Sequence, residues 1–303
     1  PIFLCAFESL WLKCFSMDND FIKRFSAVME RLFGDDGLPD RVAVGVSGGA
    51  DSMALLHALS EVLPDVQIYA LSVDHRLRLE GAEEARFVGE VVSRFSNVSH
   101  HILVWEEGEC QDTRIEERAR EARYGLIYDF MSERGISYLF IAHHQNDQAE
   151  TFLFRLAKGS GLDGLACMGE KTIVRHYTPC ACNLLDHTDK PCDDDSGLVL
   201  CRPFLGFSKL EILDYVSDED IPYIEDPSNQ NEDFARVRLR KSMDVLSKEG
   251  LTLKRICNTA KRIGRVRDSI DYMVEKEYKN SLKYKDASGI VFDYKRIEKL
   301  PFE

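Results

Sequence analysis

No stretch of this chain is apolar for about 18 residues or more, the minimum for a membrane-spanning helix. Residues 1–16, PIFLCAFESLWLKCFS, come nearest, but Glu8 and Lys13 interrupt them. They also lack the basic start of a secretion signal. Positive charge is scarce: 39 Lys and Arg face 52 Asp and Glu, for a formal net charge of −13. That argues against non-specific nucleic-acid binding by the whole surface, though not against a local basic patch. The nine cysteines are an odd number without regular spacing, and no CxxC occurs. A disulfide framework is therefore not expected, and a reducing, cytoplasmic setting is. The first residue is Pro1, which suggests Met17 as the natural start and residues 1–16 as an extension outside the fold.

The one glycine-rich turn lacks the lysine that would make it a GxxxxGK[ST] loop, and its spacing is not GxGxxG. What stands there is Arg41–Leu59, RVAVGVSGGADSMALLHAL. The alternating β-branched run Val42–Val46 reads as a buried strand. Ser47, Gly48, Gly49, Ala50, Asp51 and Ser52 form a small-residue turn, and Met53 onward is a helical apolar pattern. Strand, turn and helix start together make an anion site. Glycines let backbone N–H groups converge, the helix adds unpaired N–H groups, and the serines add hydroxyl donors. Asp51, itself an anion, reads as a helix cap or as a ligand to a cation accompanying phosphates, for which Mg²⁺ is the candidate.

Further strands are expected at Gln67–Asp74, His100–Trp105, Tyr138–Ala142 and Leu198–Cys201. Helices are expected at Phe21–Phe33, Gly81–Phe95, Ile115–Gly135, Asn146–Lys158 and Ser208–Asp220, the last capped by Ser208. This alternation predicts an α/β fold: a doubly wound parallel sheet with helices on both faces. Ligands of such sheets sit beyond the carboxyl ends of the strands. The polar clusters Ser47–Ser52, Asp74–Arg76, His143–Asp147 and Arg202 all follow strands and so share one rim. After the turn Asp226-Pro227-Ser228-Asn229 the pattern is helical, over Phe234–Ser247 and Leu253–Leu282, giving a second, all-helical domain. From Arg236 to Arg267 eleven basic residues face only Asp244 and Glu249. That reads either as a solvated face or as a surface for a phosphate backbone.

The run His143-His144-Gln145-Asn146-Asp147-Gln148-Ala149-Glu150-Thr151 passes from a strand end into a helix, with Asp147 and Glu150 three apart on one face. It lacks the spacing of HExxH, so as a zinc site it is poor. SGGADS matches SGGxDS, the signature loop of the N-type ATP pyrophosphatases (the PP-loop superfamily). With VDHRLR, EERAREARY, HHQNDQAET, RLAKGSGLDGLACM, RPFLG and EDPSNQNEDFARVRLR in this order, Arg41–Arg240 resembles the tRNA(Ile)-lysidine synthetase family.

The resemblance implies a Rossmann-like fold of the adenine nucleotide alpha hydrolase type. It implies a ligase using ATP and free L-lysine to convert the wobble cytidine of the CAU-anticodon tRNA(Ile) to lysidine, through an adenylated cytidine. Ser47, Gly48, Gly49, Ala50, Asp51 and Ser52 would hold the pyrophosphate, with Mg²⁺ on Asp51. Val73, Asp74 and His75 would border adenine and ribose. Asp147 and Glu150 would bind lysine, with His143 or His144 as proton acceptor or phosphate contact. Arg118, Arg123 and Arg202 are candidate phosphate or tRNA contacts; for Arg118 an i,i+3 pair with Glu121 is an equal reading. Arg236, Arg238 and Arg240 would grip the tRNA. The division expected is 17–225 for the ATP-pyrophosphatase domain and 226–303 for the tRNA-contact domain, the latter a short form or cut at its C-terminal end. A homodimer stays open. A thiolase of the same superfamily is the alternative enzyme, disfavoured by the missing CxxC, and a non-catalytic adenine-nucleotide sensor is the alternative outside enzymes.

The resemblance is weakest over His176–Gly197, which looks longer than the family's usual loop and holds Cys180, Cys182, Cys192, His176 and His187. Its CxC-x9-C spacing is not a common zinc pattern, so a long loop and a metal site are both open there.

Overall fold

The computed structural model describes residues 19–34, 37–76, 80–105, 115–174, 198–225, 235–286 and 289–300, apart from the side chains of residues 80, 82, 115–117, 235–238, 240, 241 and 244. Residues 1–16, the insert 176–197 and the side chains of Arg236, Arg238 and Arg240 thus lie outside the described residues.

In chain order the elements are α1 (Asp20–Phe33), β1 (Arg41–Gly45), α2 (Ala50–Val62), β2 (Gln67–Asp74), α3 (Glu80–Val92), β3 (Val98–Val104), α4 (Ile115–Glu133), β4 (Tyr138–Phe140), α5 (Gln145–Ala157), α6 (Leu162–Leu165), β5 (Lys171–Val174), β6 (Leu198–Cys201), a 3₁₀ turn (Pro203–Gly206), α7 (Lys209–Asp218), α8 (Ala235–Lys248), α9 (Leu253–Ser281), β7 (Leu282–Asp286), β8 (Gly289–Phe292) and α10 (Tyr294–Ile297). The sheet order is β3-β2-β1-β4-β6-β5. The first five run parallel, and β5 closes the edge antiparallel to β6, with Lys171 opposite Cys201 and Val174 opposite Leu198. That edge strand was not expected from the sequence, and Leu198–Cys201 is therefore the sixth strand of the sheet and not the fifth.

Both sheet faces are covered, which explains why its strands read as nearly continuous apolar runs. On one face Val42, Val44, Ile68 and Phe140 pack with Phe25 and Met29 of α1, Leu55, Leu56 and Leu59 of α2, Val88 of α3, and Ile212 and Tyr215 of α7. On the other, Ala43, Leu71, Leu139 and Leu200 meet Tyr124, Ile127 and Met131 of α4. α2 is apolar on nearly every side because it is buried nearly all round.

The described residues up to Gln148, together with Gly169–Arg238, form one compact unit, and Ala149–Met168 with the chain from Leu239 form a second. Compactness thus groups residues 149–168 with the helical region, beside the division at 225/226 read along the chain. The second unit has its own small core of Ala149, Phe152, Cys167, Ile256 and Ala260. Its region is mainly helical, but a two-stranded antiparallel hairpin, β7–β8, follows α9 where a continuing helix was expected.

Candidate active site

The loop after β1 holds its own shape. The Ser52 hydroxyl accepts from the Ser47 backbone N–H at 3.2 Å and donates to the Gly49 carbonyl at 3.0 Å. Ser52 is buried and braces the loop, while Ser47 is exposed, with its hydroxyl 3.3 Å from that of Ser52. Gly48 sits at φ +86°, and a Cβ there would meet Ile224 Cδ1 at 3.3 Å. The Ile224 N–H also donates to the Gly48 carbonyl at 2.9 Å, so glycine is needed both for the turn and for this close approach. The N-cap of α2 is Gly49, with no side-chain cap. The first-turn N–H groups are left to whatever anion sits over the loop. Asp51 is therefore not the cap.

Asp51 is instead the meeting point of three elements. Its Oδ1 accepts from Lys209 Nζ at 2.6 Å, and its Oδ2 lies 3.7 Å from His144 Nε2. His144 is almost fully buried. The Asp147 backbone N–H points at His144 Nδ1 at 3.4 Å, while the Asp147 carboxylate accepts the His144 backbone N–H at 3.0 Å. This reciprocal arrangement starts α5 in the manner of a capping box. In the neutral ring it places the proton on Nε2, the nitrogen that faces Asp51. Of the two candidate histidines, His144 is the one at Asp51.

Lys209 is the site residue that sequence reading missed. It opens α7, whose N-terminus carries the expected Ser208 cap as a full capping box with Glu211. That N-terminus is tied to the start of α5: the Lys209 N–H donates to Asn146 Oδ1 at 3.0 Å, and the Gln145 N–H to the Phe207 carbonyl at 2.8 Å. Six residues further along both helices, His57 Nδ1 and the Tyr215 hydroxyl lie 2.6 Å apart. Equal offsets from Asp51 to His57 and from Lys209 to Tyr215 mean that α2 and α7 run side by side in the same direction. Both present N-termini to the loop. Burial lowers the pKa of His57 and raises that of Tyr215, so both rungs of this second contact are uncharged at neutral pH.

The other expected residues divide. Asp147 is partly exposed beside His144, whereas Glu150, one turn on, is buried in the second unit. His143 is half-buried. After β2, Asp74 Oδ1 accepts the Arg76 N–H at 2.9 Å and so folds the turn holding Val73 and His75. Arg123 Nη2 reaches His75 Nε2 at 3.1 Å. Arg118 lies over the Trp105 ring at 6.0 Å. Arg202 departs from expectation: only 2% exposed, it donates through Nη1 to the Gly169 carbonyl and Thr172 Oγ1, strapping the edge strand. A residue so placed is not a surface contact for tRNA. Among the described residues no group of three or more His, Cys, Asp or Glu side chains could hold a metal, and no helix is long and apolar enough to cross a membrane.

A phosphate-ready loop after β1, with a lone carboxylate inside it, defines a PP-loop domain, and the family model of that description matches residues 17–246. The fold resembles that of the U34-tRNA thiolase from Methanococcus maripaludis, with a TM-score of 0.59 at 16% identity over 82% of this chain and 79% of that one. Curated tRNA(Ile)-lysidine synthases are closer in sequence. The one from Methylobacterium nodulans is 38% identical over 80% of this chain and 65% of its own length, and that from Bradyrhizobium sp. is 32% identical over 94% and 76%. The chain belongs to the tRNA(Ile)-lysidine synthase family. It spans 51% to 65% of the length of the relatives from Methylobacterium nodulans, Ruegeria pomeroyi and a Wolbachia of Brugia malayi.

Proposed function

We propose that this chain carries the ATP-dependent ligation of free L-lysine to the wobble cytidine of the CAU-anticodon tRNA(Ile), in a cytoplasmic setting. The observation behind this reading is the convergence of Lys209 and His144 on Asp51 inside the SGGADS loop. Mere retention of a nucleotide needs neither the carboxylate nor its two partners.

The carbonyl oxygen of cytosine would attack the α-phosphorus of ATP as the bond to the β-phosphate breaks and pyrophosphate leaves. The loop amides, Ser47 and Lys209 would take up the charge growing on pyrophosphate, a preorganised stabilisation of the kind that dominates such steps. The ε-amine of lysine would then attack the ring carbon, AMP would leave, and a base would take the amine's proton. The Asp147 carboxylate would take that role and would favour a cationic substrate, while His144, with Nδ1 accepting the Asp147 N–H, would present its Nε2 proton to Asp51 or to a phosphate oxygen. Mg²⁺ fits only in its usual sparse form, one carboxylate plus substrate phosphates. Asp51 Oδ2, on the side of the carboxylate away from the Lys209 contact, is the oxygen that would take it. When bound it would neutralise phosphate charge. The basic helices α8 and α9 would contact the tRNA backbone.

The test is pyrophosphate release with tRNA(Ile), ATP and labelled lysine, followed by mass analysis of the anticodon nucleoside. Lysine-dependent release, lost in Asp51→Ala, is expected. Release that needs a sulfur donor in place of lysine would overturn the reading in favour of a thiolase.

A further inference from the structure

Lys209 is held at both ends, and the two holds come from different helices. Its ammonium reaches Asp51 Oδ1 of α2 at 2.6 Å. Its backbone N–H donates to Asn146 Oδ1 of α5 at 3.0 Å. That N–H is one of the first-turn donors that a helix cannot satisfy from within. The Ser208–Glu211 capping box serves the N–H groups of Ser208 and Glu211, but not that of Lys209. An acceptor from outside α7 is needed, and Asn146 supplies it. The tie is reciprocal: the Gln145 N–H, in the first turn of α5, donates to the Phe207 carbonyl at 2.8 Å, just before α7.

The same turn of α5 also holds the other partner of Asp51. His144, whose Nε2 lies 3.7 Å from Asp51 Oδ2, is fixed by its paired contacts with Asp147. Asp147 thus sets the histidine and Asn146 the lysine. Neighbouring side chains of one helical turn set the groups on both oxygens of the carboxylate. All of these residues belong to one compact unit. The backbone tie counts because a lysine carries its charge on a long flexible stem, so the tip is placed only as well as the Cα beneath it.

We propose that Asn146 is a positioning residue for the reaction on ATP. Through the Lys209 N–H it fixes where α7 begins, and with it the point at which the Lys209 ammonium meets the departing pyrophosphate. This rests on the ligation reading only in that the loop works on ATP; it does not require lysine to be the group ligated.

The test is a double-mutant cycle of Asn146→Leu, which keeps the side chain's size and removes the acceptor, with Lys209→Met. One readout is calorimetry of inorganic pyrophosphate with Mg²⁺, and the other is kcat and KM for ATP in pyrophosphate release. Asn146→Leu should lower kcat by about three- to tenfold and weaken pyrophosphate by a similar factor, no more than Lys209→Met itself does. KM for ATP should move less, because the loop amides still bind the phosphates. In the Lys209→Met background Asn146→Leu should change neither readout. Asn146→Asp, which keeps the acceptor, should stay within about twofold of the wild type. An equal loss with or without the Lys209 side chain overturns the proposal, because a tie that serves only the fold acts independently of that side chain. So does an Asn146→Asp variant as impaired as Asn146→Leu. If Asn146→Leu does not fold, Asn146→Ala takes its place in the same cycle. Pyrophosphate binding is read without tRNA or amino acid. A cycle that couples as expected, while release needs a sulfur donor in place of lysine, therefore fells the ligation reading and leaves Asn146 in its role.

Discussion

Two stretches of the same rim handle charge in opposite ways. At Asp51 an anion is met by a lysine from α7 and a histidine from the start of α5, so the free protein is locally balanced. On the α4 side of the sheet, by contrast, Arg120 Nη2 and Arg202 Nε are buried without a hydrogen-bond partner. A balanced cluster is stable as it stands and must be opened for its ligand. The first suits a group that works on phosphates only after they arrive.

The sharpest way to break this contrast is Asp51→Asn, which removes the anion that Lys209 and His144 Nε2 face. Pyrophosphate release should fall on the order of 10²–10³-fold, the usual cost of losing one preorganised electrostatic partner, in a steady-state assay with folding checked by circular dichroism. Lys209→Met should be milder, about tenfold in kcat, because the loop amides remain; it is read from the kcat and KM for ATP. Gly48→Ala forces a side chain into the φ +86° turn against Ile224 and should cost about 1–3 kcal/mol in urea denaturation. On the unbalanced side, His75 has a folded pKa of about 4 against 6.5 ordinarily. Between these values the unfolded chain binds more protons. Its contribution is complete above pH 6.5 and is lost as pH falls toward 4. Melting curves of His75→Gln should show a shallower loss over that window than the wild type. The smallest effect is expected from Tyr215→Phe, about 1 kcal/mol in urea for one hydrogen bond.

Much of this was legible in the residues. The alternation of apolar runs gave the parallel sheet, and SGGADS gave the loop, because turn chemistry and helix starts are local. Ser208 followed by Glu211 gave the α7 cap for the same reason. Lys209 was hidden, because its meaning depends on Asp51, 158 positions earlier, and on Asn146 fixing its backbone. For Arg202 the sequence shows a basic residue after a strand, but not its burial or its bonds to the Gly169 carbonyl and Thr172. The edge strand β5 is short and half exposed, with no apolar run to announce it. The β7–β8 hairpin lies in LKYKDASGIVF, where spaced lysines mimic a charged helix face.

The paired helices α2 and α7 act as a lever. The contact between His57 and Tyr215 is a pivot roughly 9 Å along the axis from Asp51, at 1.5 Å per residue over six residues. A rotation of α7 about it by roughly 6° would swing Lys209 by about 1 Å. Displacements of that size can change a reaction rate by about two orders of magnitude. A contact in the core between the two helices, well away from the loop, would thus set the tolerance to which Lys209 and Asp51 are aligned.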